Sequence, residues 1–308
     1  MEGLSGQRRT GYAKWIAREA RWALDEEVKT TPKPGLVDLR SNGAHSDMNV
    51  ELFLKSSEVL EPFFVQAAWM GMSLDVSPET LFVFLRRWGS QAERSMYSAT
   101  GNVNTHKGMI FTIGLFCAAV GRCLHDGKTD TESIRILEQQ MVSRQLQWEL
   151  DSLIQREEIT HGEKNYRLYG SRGIRGAAID GYKEVFEAAL PTLREGKEQH
   201  RDWNLIKLQV LITLMSCTED SNIIARNGPA ALKTVQQKMK DFLALGGAYQ
   251  EAATEKLQRM DTEFTKKNIS GGGSADLLAL TIFIDQVTEK LEKYENNTYG
   301  NSSAHLRR

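Results

Sequence analysis

The residues best suited to chemistry lie in five polar, glycine-bearing segments at the ends of predicted helices. These segments span residues 31–49, 100–108, 161–176, 218–228 and 270–276. Helix ends carry backbone N–H and C=O groups without intrahelical partners, and loops on a rigid frame often hold binding residues. The pattern therefore favours one site that is assembled from several segments.

The first segment, TPKPGLVDLRSNGAHSDMN, combines backbone constraint with many polar groups. Pro32 and Pro34 fix φ and end the preceding helix. Its acids and histidine could bind a divalent cation, and its two cations could contact phosphate. These candidates are Asp38, His45, Asp47, Lys33 and Arg40. A capped loop between two helices, with Asp47 or Asn49 as the N-cap, is the alternative without a ligand.

The second segment, TGNVNTHKGMIFTIGLF, runs from a polar loop directly into an apolar helix. If Thr105 caps this helix, His106, Lys107 and the backbone N–H groups of the first turn lie near the positive end of its dipole, which suits an anion such as phosphate. A lysine at the start of a buried helix is costly without a negative partner. A cap followed by a solvated lysine is the alternative.

The third segment places Arg172 and Arg175 among glycines in YGSRGIRGAAIDGY. Arginine can hold phosphate oxygens in a fork, and glycine lets the backbone approach a ligand. The segment lacks the GxxxxGK[ST] pattern of a phosphate-binding P-loop. A plain loop explains it equally well.

The last two segments surround possible oxygen ligands. In CTEDSNIIARNGPAAL, Asn222 and Arg226 are four residues apart on one helical face, and Asp220 precedes them. Asp220 and Asn222 could ligate Mg²⁺, although an ordinary helix–turn–helix is the alternative. In NISGGGSADLLALTIFI, Asp276 would gain about 0.3–1 kcal/mol from the helix dipole, which is a sufficient structural reason for it. The three glycines favour close approach by a ligand or another loop.

Apolar residues recur at helical spacing almost throughout, and no convincing strand pattern is present. The sequence predicts a compact all-α single domain of ten or so helices over residues 1–295, followed by a frayed polar tail at 296–308. A net charge of -1 argues against nucleic-acid binding. Three scattered cysteines, no leader sequence and no apolar run long enough for a bilayer indicate a cytoplasmic protein without membrane segments.

Six motifs in order resemble the triphosphoribosyl-dephospho-coenzyme A synthases. They are TPKPGLVD, GAHSDM, NVNTHKGMIF, SRGIRG, EDSN with Arg226 after it, and GGSADLLALT. The resemblance runs from about Thr31 to Asp285. It implies transfer of the triphosphoribosyl part of ATP to the 2′-hydroxyl of 3′-dephospho-coenzyme A, with release of adenine. It also implies Mg²⁺ and a second transferase, which places the product on the acyl carrier protein of citrate lyase or malonate decarboxylase.

On this resemblance we expect acidic and histidine side chains to share metal, proton and cation-stabilising roles: Asp38, Asp47 and Asp220 for metal and catalysis, and His45 and His106 for acid–base work. Phosphates would meet Lys33, Arg40, Lys107, Arg172, Arg175 and Arg226. Asn104, Asn222 and Asp276 would complete substrate binding.

The sequence departs from the family pattern most at Ala177, where a glutamate is common. If that carboxylate is the essential base, this chain is impaired or uses Glu163 or Asp180 instead, and we expect activity to survive because the other carboxylates remain. Asn49 replaces a common aspartate, and Asn102 and Asn227 replace glycines. Two alternatives remain, an ATP or nucleotide N-glycosidase and a non-catalytic nucleotide-binding protein. The oligomeric state is open.

Overall fold

A computed structural model describes residues 6–152 and 161–304. Within these ranges the chain forms twelve α-helices and no strand, which confirms the predicted all-α class. The first six are α1 (Gly6–Lys29), α2 (Val50–Ser73), α3 (Pro78–Thr100), α4 (Lys107–Asp126), α5 (Thr131–Ser152) and α6 (His161–Tyr169). The others are α7 (Gly173–Ile179), α8 (Leu190–Glu198), α9 (Trp203–Cys217), α10 (Ser221–Ala244), α11 (Ala253–Lys266) and α12 (Gly272–Ala304).

The helix bounds differ from the predicted ones where glycine and polar residues lie inside a helix. The segment predicted as the third polar junction, 161–176, is mostly helical in α6 and α7. A turn at Gly181 and Tyr182, both with positive φ, separates α7 from a π-helical turn over Glu184–Ala189. In α10, Gly228 leaves helical geometry with φ 81° and ψ 169°, and Pro229 begins the second part of the helix.

The α2 and α4 helices form the centre of the fold and pack almost backbone to backbone. A Cβ added at Gly71 would lie 2.1 Å from the Ala118 carbonyl oxygen, and one added at Gly121 would lie 2.3 Å from the Ala68 carbonyl oxygen. Only glycine permits this approach, so these two positions fix the packing of the two helices. Around them, α1 and α3 cover α2, while α3, α5 and α12 contact α4.

The composition of α4 follows from its central position. Its residues from Met109 to Cys123 are almost all buried, as expected for a helix that is apolar on every face. By length and composition alone it could cross a membrane, but 72% of its most apolar stretch is buried inside the protein. It is therefore a core helix of this fold.

The long helix α12 packs on α1, α4, α8 and α9. Its beginning lies near the beginning of α4, because Oδ2 of Asp276 approaches Gly108. The helix continues to Ala304 and includes much of the segment predicted to be a frayed tail. The predicted domain boundary at residue 295 remains a prediction. What matters for the site is that the loop at 30–49 and the first turns of α4, α7, α10 and α12 meet at one cavity.

Candidate active site

One cavity of about 840 Å³ lies between helices α3, α4 and α5 and the polar junctions. The helices supply an apolar wall that includes Phe82, Leu85, Phe111, Leu146 and Leu150. The junctions supply the polar wall. Four of the five predicted segments, 31–49, 161–176, 218–228 and 270–276, contribute residues to the polar wall. The fifth leads into α4, whose first turn lines the cavity between the two walls.

Ten of the fourteen predicted site residues line this cavity: Lys33, His45, Asn104, His106, Lys107, Arg172, Arg175, Asn222, Arg226 and Asp276. The other four, Asp38, Arg40, Asp47 and Asp220, do not. Arg40 and Asp47 are exposed outside it, whereas Asp38 and Asp220 are buried behind its wall. The roles predicted for the fourteen residues remain predictions.

Asp38 organises the first junction. One carboxylate oxygen accepts from the Thr31 hydroxyl at 3.0 Å and the Lys33 backbone N–H at 2.7 Å. The other accepts from the backbone N–H groups of Arg40 and Ser41 at 2.7 and 2.9 Å. Four donors saturate the carboxylate, so its geometry is that of a loop anchor.

Asp220 joins the starts of two helices. One oxygen caps α10 by accepting from Asn222 N–H at 3.0 Å, and the other accepts from the backbone N–H and the hydroxyl of Ser274 at 2.8 and 2.9 Å. Burial raises the pKa of Asp220, and the donors from Ser274, Ile223 and Asn222 oppose that rise. The carboxylate therefore ties α12 to α10.

The glycines before α12 make this junction possible. A Cβ added at Gly273 would lie 3.2 Å from the Asp220 carboxylate, and one added at Gly272 would lie 2.7 Å from Nδ2 of Asn222. This is the close approach by another loop that the triple glycine predicts.

The predicted metal ligands Asp38, Asp47 and Asp220 do not fit a shared metal centre. The carboxylates of Asp38 and Asp220 are occupied by protein donors, and Asp47 lies outside the cavity. Across residues 6–152 and 161–304, no group of three His, Cys, Asp or Glu side chains could hold a metal ion.

Lys33 lies buried at the cavity with a carboxylate already in place. Its ammonium donates to the Glu27 carboxylate and, at 2.8 Å, to the Glu27 carbonyl. Burial raises the pKa of Glu27, and the positive charge of Lys33 opposes that rise. Lys33, which was predicted to contact phosphate, therefore already has the Glu27 carboxylate as its counter-ion.

His45 and Arg226 connect the first junction to the segment before α12. Arg226 donates to the Ala44 carbonyl at 3.0 Å and lies 3.3 Å from Nδ1 of His45, while Nε2 of His45 lies 2.9 Å from Oγ of Ser270. Because arginine can only donate, Nδ1 accepts and the proton lies on Nε2. Burial, with help from Arg226, lowers the pKa of His45, so the ring is neutral at pH 7.

His106 occupies the N-cap position of α4 but makes no side-chain cap. Its Nδ1 lies 2.8 Å from Oγ of Ser56, and the same Oγ accepts a hydrogen bond from the Thr105 hydroxyl. The cap predicted at Thr105 is wrong, because Asn104 instead accepts from the Lys107 N–H at 3.2 Å. Burial and the charge of Lys33 lower the pKa of His106 to about 3, so the ring is neutral at pH 7.

The remaining cations at the cavity each have an acidic neighbour. Lys107 lies 3.0 Å from Glu93, and Arg175 lies 3.2 Å from Glu163. Arg172 pairs with Asp180, and its backbone N–H donates to Glu219 at 3.0 Å. Because the side chains of Lys107 and Arg172 are partly exposed, these pairs are weak enough to exchange for a ligand.

Comparison with known proteins shows the family of the chain that forms this cavity. Residues 13–295 match the CitG family, described as ATP:dephospho-CoA triphosphoribosyl transferase. The chain belongs to the CitG family. It is therefore assigned to a family of transferases, and the matched range contains every residue that lines the cavity.

Curated relatives cover nearly the whole chain. The Klebsiella pneumoniae 2-(5''-triphosphoribosyl)-3'-dephosphocoenzyme-A synthase is 39% identical over 275 residues, which are 88% of this chain and 90% of the relative. A probable synthase of the same name from Vibrio cholerae serotype O1 is 36% identical over 293 residues, 92% of each chain. A probable synthase 1 from Salmonella choleraesuis is 39% identical over 264 residues, which are 85% of this chain and 87% of the relative. No solved structure matches.

The residues expected to depart from the family pattern differ in how close they lie to the cavity. Ala177 lines the cavity, and so does Glu163, which pairs with Arg175. Asp180 instead pairs with Arg172 and does not line the cavity. Of the two expected substitutes for the missing glutamate, only Glu163 therefore has a carboxylate at the site. Asn102 has φ of 67°, a conformation that asparagine tolerates better than most residues.

Sequence reasoning missed several polar residues of the cavity and its surroundings, namely Glu27, Ser56, Glu93, Glu149 and Ser270. Four of them lie inside long helices, where a polar residue normally faces solvent. The helical register of these residues could have indicated that they face the protein interior. Glu27, for example, shares the buried face of α1 with Ala20, Ala23 and Leu24.

Proposed function

We propose that this CitG-family chain transfers the triphosphoribosyl group of ATP to the 2′-hydroxyl of 3′-dephospho-coenzyme A and releases adenine. The observation that carries the proposal is the single cavity that joins ten of the predicted site residues to an extended apolar wall. Family membership adds the reaction class.

The polar wall suits an intact triphosphate. Lys107, Arg172, Arg175 and Arg226 approach it from three different helices, and the first turn of α4 opens into the same space. Phosphates favour the positive end of a helix dipole and the forked donors of arginine. Because Lys107 and Arg172 are partly exposed, a bound triphosphate can replace their carboxylate partners without leaving buried charge.

The apolar wall suits the uncharged parts of the substrates. Phe82, Leu85 and Phe111 lie across from Leu146 and Leu150 and offer a water-poor surface to adenine or to the pantetheine arm. Excluding water favours attack by the ribose hydroxyl over hydrolysis.

The chemistry asks for charge stabilisation as well as binding. Cleavage of an N-glycosidic bond develops positive charge on the ribose, as in glycoside hydrolysis. Carboxylates along the cavity stabilise that charge, while the partly exposed cations of the polar wall hold the phosphates in position. His106 and His45 serve as neutral hydrogen-bond partners, because burial lowers the pKa of both.

Several further features remain proposals. Mg²⁺ would be carried to the cavity by the ATP phosphates, with water and few protein ligands around it. The product would pass to a transferase that loads an acyl carrier protein, of citrate lyase or of malonate decarboxylase. We also propose that the reaction takes place in the cytoplasm without nucleic acid or membrane; an oligomer is compatible with this proposal. Family membership does not favour the N-glycosidase or the non-catalytic alternative.

The direct test uses purified protein with ATP, Mg²⁺ and 3′-dephospho-coenzyme A, and mass spectrometry of the products. We expect free adenine and the joined product in equal amounts. Lys107→Ala should weaken the reaction, whereas Lys240→Ala, an exposed lysine on α10 outside the cavity, should not. Adenine without a joined product would instead identify an N-glycosidase.

A further inference from the structure

We infer that Asp276 is the general base that takes the proton from the attacking 2′-hydroxyl. The inference deepens the proposed function and rests on it. It moves the catalytic role from Asp38, Asp47 and Asp220, which do not line the cavity, to a residue that does.

The carboxylates of the cavity point to Asp276 by their partners. The described cavity lining contains six acidic residues: Glu27, Glu93, Glu149, Glu163, Glu219 and Asp276. Glu149 pairs with Arg86, and four others pair with the cations and the backbone N–H given above. Within residues 6–152 and 161–304, Asp276 alone of the six has a carboxylate without a hydrogen-bond or ion-pair partner. Its lone pairs are therefore available to a substrate proton.

The backbone around Asp276 keeps this carboxylate in place. A Cβ added at Gly108, in the first turn of α4, would lie 1.9 Å from Oδ2 of Asp276. Glycine at position 108 leaves that space to the carboxylate. The Asp220–Ser274 hydrogen bonds fix the start of α12 two residues before Asp276. The carboxylate therefore lies at the cavity beside the first turn of α4.

The charges around Asp276 favour proton uptake. The titratable groups that act on it are Glu27 from α1, Asp220 before α10 and Tyr182 before the π-helical turn. Burial first, and then the negative charges of Glu27 and Asp220, raise the pKa of Asp276 well above its usual range. A carboxylate with a raised pKa is a stronger proton acceptor than an ordinary one.

The step balances without another reactant. Asp276 takes the proton of the 2′-hydroxyl while the 2′-oxygen of 3′-dephospho-coenzyme A forms a bond to the anomeric carbon of the ATP ribose. The bond from that carbon to N9 of adenine breaks, and its electron pair leaves with adenine. Adenine then takes up one proton, and Asp276 releases one, so the carboxylate is regenerated.

The test compares Asp276→Asn and Asp276→Glu with the wild type, and uses Asp241→Asn as the matched control. Asp241 is an exposed acid on α10 outside the cavity, so its substitution should change nothing. For Asp276→Asn we expect kcat for joined product to fall at least about 100-fold. The Kd for ATP, from calorimetry, should stay within threefold, and the thermal midpoint should not fall. The acidic limb of the pH–rate profile should be lost in Asp276→Asn and displaced in Asp276→Glu.

Three results would overturn the inference. The first is an Asp276→Asn enzyme within tenfold of the wild-type kcat and with the same acidic limb. The second is a parallel loss of ATP affinity and rate, which would make Asp276 a binding residue. The third result applies if Asp276→Asn does not fold: it is a pH–rate profile of Asp276→Glu whose acidic limb is not shifted from that of the wild type. A wild type that makes no joined product would refute the proposed function, and this inference with it.

Discussion

Replacing Asp220 with asparagine separates a structural role from a chemical one. Asp220 was predicted to act in catalysis or metal binding, yet its oxygens accept from the start of α10 and from both donors of Ser274. In Asp220→Asn, one oxygen becomes an NH₂ group. If the remaining oxygen keeps the α10 cap, that NH₂ group faces the Ser274 N–H, which also donates.

The cost follows from the buried donors that lose their acceptor. A buried N–H left without a partner costs about 1–3 kcal/mol, and hydrogen bonds to a charged group contribute roughly 1.5–3 kcal/mol each. The Ser274 hydroxyl can rotate and accept instead, which limits the loss. We therefore expect the free energy of unfolding to fall by about 2–4 kcal/mol and the start of α12, with Asp276, to shift.

Urea unfolding of wild type and Asp220→Asn measures this change, with adenine release assayed on the same samples. Asp202→Asn is the matched control, because Asp202 also caps a helix, α9, through Leu205 N–H at 3.1 Å but is exposed. Asparagine and aspartate cap about equally well, so that variant should change by less than about 0.5 kcal/mol. An Asp220→Asn protein that is as stable as wild type but inactive would refute the structural reasoning and restore a chemical role for Asp220.

Three further predictions concern the cavity. The pKa of His106 is about 3 in the folded protein and 6.5 ordinarily, so the unfolded chain binds the proton first and stability falls as pH drops from about 6.5 to 3. His106→Gln should therefore reduce the stability loss between pH 7 and 4.5 by about 3 kcal/mol in urea unfolding. An unchanged pH dependence of stability would contradict this. Lys107→Ala should raise the KM for ATP about tenfold with a smaller change in kcat, since it removes an ion pair to phosphate; an unchanged KM in steady-state assays would argue against phosphate contact. Gly108→Ala should lower kcat at least about tenfold, because its Cβ displaces Asp276; a wild-type rate would show that this carboxylate need not stay where it is.

Much of the fold could be predicted because it depends on local patterns. The apolar run after Lys107 does form a core helix, and Asn49 caps α2 by accepting from the Leu52 N–H at 2.9 Å. The cap at Thr105 could not be predicted in this way. Thr105 hydrogen-bonds to Ser56, which is distant in sequence, so the competing partner was invisible.

The site was partly predictable for a related reason. The sequence shows which residue types are available, and it predicted a shared site for His45, Lys107 and Arg175. The structure places all three at one cavity. It does not show where a carboxylate points. Asp38 and Asp220 resemble metal ligands because both lie among turn residues, but turn residues also have backbone N–H groups that need acceptors.

The central claim is that one cavity brings ATP and 3′-dephospho-coenzyme A together for direct transfer. The most direct measurement is mass spectrometry of the wild-type reaction with ATP labelled with ¹³C in its ribose. We predict that all of the labelled ribose released from adenine appears, with its three phosphates, on the 2′-oxygen of 3′-dephospho-coenzyme A. Labelled triphosphoribose free in solution, with 3′-dephospho-coenzyme A unchanged, would contradict the account.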